Sequence, residues 1–179
     1  MRSNYSLLRR LGCQLVVAVS LSFGFLGLAL SADGVTGDRV ALVIGNAAYK
    51  LAPLSNPRND AQAMATLLRQ AGFSVDNQLD ATREQLTEAV ERFGKTIKDP
   101  KVKFGLFYYA GHGLQLDWRN YLVPVNANIR SVADVRQQTV DVSEMLKYME
   151  EGKGRSFLVI LDACRDDPFA GAFRPPVKG

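Results

Sequence analysis

Three apolar runs punctuate the chain, at 39–45, 102–110 and 155–163, and a shorter, more polar strand is expected at 73–79. Short runs of β-prone apolar residues without alternation predict strands covered on both faces. Between them the apolar positions recur at helical spacing. Ala61, Met64, Ala65, Leu68 and Ala71 mark one helix face, with Asn56 as cap, Pro57 at the first helical position and Gly72 as terminator. Leu86, Ala89, Val90, Phe93 and Ile97 mark a second, opened by the capping-box pair Thr82 and Gln85 and closed at Asp99 and Pro100. Asp141 with Glu144 opens a third helix that runs to about Glu151. Residues 114–125 predict a hairpin around a turn at Asp117, Trp118, Arg119 and Asn120. Residues 126–140 read as polar and irregular, and 165–179 as a Pro-containing tail entered through Asp166 and Asp167.

This alternation predicts an α/β fold, a mostly parallel sheet with helices on both faces joined by right-handed crossovers. No internal repeat or low-complexity tract interrupts it. The last run, 157–161, has little chain after it, so a sheet ending there presents an apolar edge that calls for a partner or for further chain.

Composition changes the picture mainly at the N-terminus. The chain has 179 residues, is 47% hydrophobic and carries a net charge of +4. Arg2, Arg9 and Arg10 supply most of that excess, because no acid precedes residue 32. The remainder is close to neutral, which argues against a nucleic-acid surface. The uncharged stretch 13–30 follows those arginines and ends in Ala29, Leu30, Ser31 and Ala32. Residues 1–31 are therefore expected to be a cleaved signal peptide or, failing cleavage, a signal anchor, with 32–38 as linker. The folded part is expected to be exported: periplasmic or secreted, or held at the inner membrane. Of two cysteines, Cys13 belongs to that segment. Cys164 alone remains, with no internal partner for a disulfide and the standing of a candidate reactive thiol.

Cys164 and the single histidine, His112, each follow a strand-like run, where α/β sheets build their sites. A thiolate is the nucleophile, and an imidazole can take its proton and return it to a leaving group. Backbone N–H groups of Gly113 and Cys164 are placed to hold an oxyanion. The unassuming alternative is an inert thiol and a loop histidine. One histidine and one remaining cysteine cannot form the usual zinc site. There is no phosphate-binding Gly-rich loop with Lys-Ser/Thr, and Trp118, Tyr108 and Tyr109 read as packing residues.

Two stretches carry a resemblance: Tyr108-Tyr109-Ala110-Gly111-His112-Gly113, and Leu161-Asp162-Ala163-Cys164-Arg165. They are similar to the two catalytic motifs of the caspase-like clan, and the chain resembles its bacterial metacaspase-type members in the large-subunit region. The 52 positions between His112 and Cys164 agree with caspase spacing. Residues 39–46, Asn59-Asp60-Ala61 and 121–125 extend the likeness. The resemblance implies a caspase-like three-layer sandwich over 39–169, followed by a Pro-rich tail at 170–179, lacking the small-subunit strands. It implies a cysteine endopeptidase in which Asp162 and Asp60 line the pocket for arginine or lysine before the scissile bond. The bland readings are a strand-end hydrogen bonder for Asp162 and a helix-dipole charge for Asp60.

Ala110 departs from the family pattern, standing where many metacaspases have a serine. The implied enzyme needs no cofactor. Calcium would require several convergent carboxylates, and Asp117, Asp166 and Asp167 with Asn126 and Asn128 offer a poor set. The expected partners are peptide or protein substrates, a small-subunit-like partner or C-terminal region, no nucleic acid, and a membrane only if the anchor is retained. The alternative function is an inactive interaction or regulatory module. A weaker third is a thiol redox sensor at Cys164.

Overall fold

In the computed structural model, residues 37–151 and 154–163 are described. Cys164, Asp166 and Asp167, the expected N-terminal signal with most of its linker, and the tail lie outside them. Four parallel strands form the central sheet: β1 (Arg39–Gly45), β2 (Ser74–Leu79), β3 (Phe104–Ala110) and β7 (Ser156–Asp162), in the order β2-β1-β3-β7. Helix α1 (Pro57–Gln70) covers one face and α2 (Arg83–Ile97) with α4 (Val142–Glu150) the other. Between β3 and α4 lie β4 (Gly113–Leu116), β5 (Arg119–Leu122), α3 (Val132–Gln138) and β6 (Val140–Asp141). The three short strands make a separate antiparallel sheet in the order β4-β5-β6. Among the described residues no helix is long and apolar enough to cross a membrane.

The apolar runs fold as their pattern demands. Along β3, Phe107 and Tyr109 face α2 and α4, while Leu106, Tyr108 and Ala110 face α1. The capping box of α2 is complete: Thr82 accepts from Gln85 N–H, and the Gln85 side chain accepts from Thr82 N–H. Helix α1 ends in a Schellman motif. Gly72 has φ +82°, its N–H donates to Arg69 O, and Phe73 N–H donates to Leu68 O.

Some expectations are corrected. Asn56 precedes α1 but its side chain caps nothing, because its backbone is already helical (φ −104°, ψ −28°). Pro57 alone marks that start. The stretch read as irregular contains α3, capped by the Ser131 side chain, which accepts from Asp134 N–H. The hairpin is real, but its turn is only Asp117 and Trp118, both at positive φ (51° and 64°). That geometry suits the right-handed twist of the flanking strands. Trp118 is not a packing residue: it is 93% exposed.

β7 carries the apolar edge expected of it. It is the edge of the sheet among the described residues, and Leu158 and Leu161 are 44% and 37% exposed. An apolar run reveals a strand, not whether both neighbours of that strand are present.

β1 sits at the centre because the chain goes first to one side of it (β2) and then to the other (β3). The loops leaving β1 and β3 therefore diverge, opening a crevice at their carboxyl ends, where α/β folds place their sites. Gly45 ends β1 against the first turn of α1. A Cβ there would meet Pro57 O at 2.4 Å and the Ala61 side chain at 2.6 Å. Bare backbone at Gly45 thus lets α1 begin directly on the sheet.

Candidate active site

Gly45, Ala110 and Asp162 lie in register across β1, β3 and β7, at the carboxyl ends of the strands. Gly111 N–H donates to Asp162 O at 3.3 Å, which ties the start of the histidine loop to the end of β7. Asp162 has Ala110 as its cross-strand partner, and along its own strand Ile160 packs into the α1-side core. Asp60 is in the first turn of α1. Both carboxylates reach the Tyr108 hydroxyl electrostatically. Burial pushes that phenol's pKa up, and the negative fields of Asp162 and Asp60 push it further. Two acids 102 positions apart in sequence thus both bear on one phenol.

His112 is buried and held at three points. Its backbone N–H donates to the Tyr49 hydroxyl at 2.9 Å. Its backbone O accepts from the Tyr109 hydroxyl at 2.8 Å and from Val123 N–H at 3.1 Å. Its ring Nε2 lies 2.7 Å from Ala52 O. A carbonyl only accepts, so Nε2 is the donor in this contact. The Tyr49 ring packs on the imidazole, with centroids 4.4 Å apart at a 51° tilt.

The two tyrosines under the histidine were not legible as site residues. Tyr49 and Tyr109 hydroxyls lie 3.2 Å apart, and both reach Val123 O, at 3.1 and 3.0 Å. Burial raises the Tyr49 pKa to about 12 and that of Tyr109 well above the ordinary value. Both therefore stay protonated donors over the whole working pH range. Gly111 leaves room for them: a Cβ there would meet the Tyr49 hydroxyl at 2.7 Å and the Tyr109 hydroxyl at 2.8 Å. Its φ of +157° adds a backbone reason for glycine. Gly111 thus accommodates the tyrosine pair.

Asn46, fully buried at the end of β1, locks the floor of the crevice. Its Oδ1 accepts from Ala81 N–H at 2.8 Å, and its Nδ2 donates to Val123 O at 3.2 Å. The signal was available: an asparagine directly after a buried strand either turns the chain or joins two segments.

Gly113 and Ala163 line one small cavity of about 70 Å³, together with Leu114, Tyr121 and Leu161. Ala163 is the residue before Cys164, so the expected oxyanion donor Gly113 faces the approach to the expected nucleophile. Among the described residues no three His, Cys, Asp or Glu side chains gather as a metal site. Asp117 is engaged with Arg136 at 2.6 Å.

The comparisons with known proteins agree with this architecture. Residues 38–178 match the family described as Caspase domain. The chain belongs to the caspase-domain family. It is 37% identical over 131 residues to human (Homo sapiens) mucosa-associated lymphoid tissue lymphoma translocation protein 1, and equally to its mouse (Mus musculus) homolog. In both cases 72% of this chain is covered, and the chain spans 15% of those curated relatives. A crystal structure of a Geobacter sulfurreducens protein superposes with a TM-score of 0.55 at 20% identity, over 70% of this chain and 50% of that one. That likeness concerns the fold alone. The caspase domain is a cysteine-peptidase family.

Proposed function

We propose that the protein is an exported cysteine endopeptidase that cuts after arginine or lysine through Cys164 and His112. The observation that carries this reading is the orientation of His112. With Nε2–H committed to Ala52 O, Nδ1 is the proton acceptor of the ring. Cys164 Sγ gives its proton to Nδ1 and attacks the carbonyl carbon before the scissile bond. Gly113 and Cys164 N–H groups hold the oxyanion. The tetrahedral intermediate collapses, the C–N bond breaks, and His112 returns the proton to the leaving amine. Water, deprotonated by His112, then hydrolyses the thioester.

Asp162 and Asp60 supply the specificity. Their joint effect on Tyr108 supports a shared negative pocket, to which a guanidinium can bind through paired hydrogen bonds. No step requires a cofactor. Export rests on the apolar N-terminal segment and is tested by locating the processed chain in cell fractions. Cleavage of an arginine-ending fluorogenic peptide tests the chemistry. Cys164→Ala abolishes it if the proposal holds, and unchanged cleavage rejects it.

One observation favours a second reading, a non-catalytic interaction module: the exposed apolar edge of β7 at Leu158 and Leu161. Under that reading an arginine-based acylating probe leaves Cys164 unlabelled while the domain remains folded.

A further inference from the structure

We propose that Asp80 is a positioning residue for His112, acting through the loop that carries Ala52. The proposal rests on reading His112 as the catalytic base, but it can be decided without any turnover.

Asp80 follows β2 and occupies the left-handed region at φ +53°. Non-glycine residues adopt that conformation rarely, aspartate and asparagine more readily than others. Its backbone N–H donates to Gly45 O at 2.9 Å, which seats it beside the end of β1. From there one carboxylate grips both ends of the segment joining β1 to α1. Oδ1 accepts from Ala47 N–H at 2.8 Å and from Ala48 N–H at 2.9 Å. Oδ2 accepts from the Arg58 guanidinium, in the first turn of α1.

The grip is passed on through Ala47. Its carbonyl accepts from Tyr49 N–H and from Leu54 N–H, each at 2.9 Å. Residues 48–53 are therefore a closed loop whose neck is Ala47 and Leu54, and Ala52 lies within it. Ala52 O is the group that holds His112 Nε2. The same loop carries Tyr49, whose hydroxyl accepts from His112 N–H. Both contacts that orient the histidine through this loop thus hang from Asp80. A carboxylate suits the job because an ionised oxygen accepts two N–H bonds and a guanidinium at once. Burial works against ionisation, but the bonds from Ala47, Ala48 and Arg58 outweigh it and hold the Asp80 pKa below the usual range.

The chain has one histidine, so its ring can be followed without assignment ambiguity. The full chain, carrying 15N in the histidine ring, is compared with two variants by long-range proton–nitrogen spectra. Asp80→Gly keeps the backbone freedom and removes the carboxylate. Asp80→Asn keeps an acceptor for Ala47 and Ala48. The parent ring is expected to be the Nε2–H tautomer at neutral pH. Asp80→Gly should mix the two tautomers and lower kcat on the arginine peptide by on the order of ten- to a hundredfold, the scale set by misplacing a reacting group. KM should stay within about twofold, since lost positioning falls on kcat rather than on uniform substrate binding. Asp80→Asn should restore most of both.

A parent-like ring and kcat in folded Asp80→Gly would overturn the proposal. Should Asp80→Gly fail to fold, Arg58→Gln, at a half-exposed side chain, releases only the far end of the loop and should shift the tautomer ratio in the same direction. An unmoved ring in that variant overturns the proposal as well. If the parent cleaves no peptide, the proposed function fails, while the ring spectra still decide the role of Asp80.

Discussion

Strands β3 and β7 run side by side through seven paired positions, yet they are built differently. β3 is buried along nearly its whole length and delivers His112 into a nest of hydrogen bonds. β7, which leads to Cys164, is half-exposed, with two leucines facing outward. Described residues hold the histidine at its backbone and at Nε2, whereas the outer edge of β7 has no described neighbour. Precision on one side of a dyad needs the other side to be equally supported before it becomes rate. The two strands are nonetheless joined where the histidine loop begins, by the bond from Gly111 N–H to Asp162 O.

The sharpest way to break that comparison is at the base itself. His112→Gln should lower kcat on an arginine peptide by about a thousandfold or more, as loss of a general base in a nucleophile pair does. A loss below tenfold, read from steady-state kinetics, would mean the nest holds an idle ring. Next comes packing. Phe107→Ala on β3 should cost about 3–5 kcal/mol in denaturant unfolding, since Phe107 is fully buried between the sheet and α2. Asp162→Asn should reduce kcat/KM for arginine peptides by about a hundredfold, while a peptide with a neutral residue there falls much less. Losing one charged partner of a bound guanidinium has that scale.

A fourth test is pH. Tyr49 is raised from 10.0 to about 12, so between those values the unfolded chain has released a proton that the native one keeps. Its contribution is full below the unfolded value and lost as pH rises through the folded one, at about 1.4 kcal/mol per unit. Tyr49→Phe should flatten that slope in urea midpoints measured across this range. The smallest effect is expected at Leu158→Ala on β7. It should cost less than about 1 kcal/mol, because nearly half of the side chain is already in water. A cost as large as that at Phe107 would show that something else covers the edge in solution.

Much of this molecule was legible in its sequence, for local reasons. Thr82 with Gln85, and Gly72 after a periodic apolar face, are complete statements within a few residues. The adjacency of His112 to a strand end was equally readable, and so was the hairpin. Helix α3 was missed because its seven residues bury only Val135, leaving no periodicity to detect, although Ser131 and Asp134 stood at capping distance. Asn56 misled because a cap residue needs extended backbone, and here the helical conformation begins one residue early. The nest beneath His112 could not be read, since Tyr49 meets partners 60, 63 and 74 positions away. Nothing near Tyr49 in sequence records that. The apolar edge at the last strand was legible, by contrast, because it follows from strand order alone, and Leu158 and Leu161 stand exposed on it.

The turn at Asp117 and Trp118 has a practical side. The only tryptophan of the chain stands almost wholly in water at the tip of the strand pair that starts one residue after His112. Its indole emission should already be red-shifted in the native protein and barely change on unfolding, so it is a poor thermometer for the fold. It is, by contrast, well placed as an optical sentinel. Anything that docks on this hairpin would shield the ring and shift its emission to the blue, a label-free signal of contact at that tip.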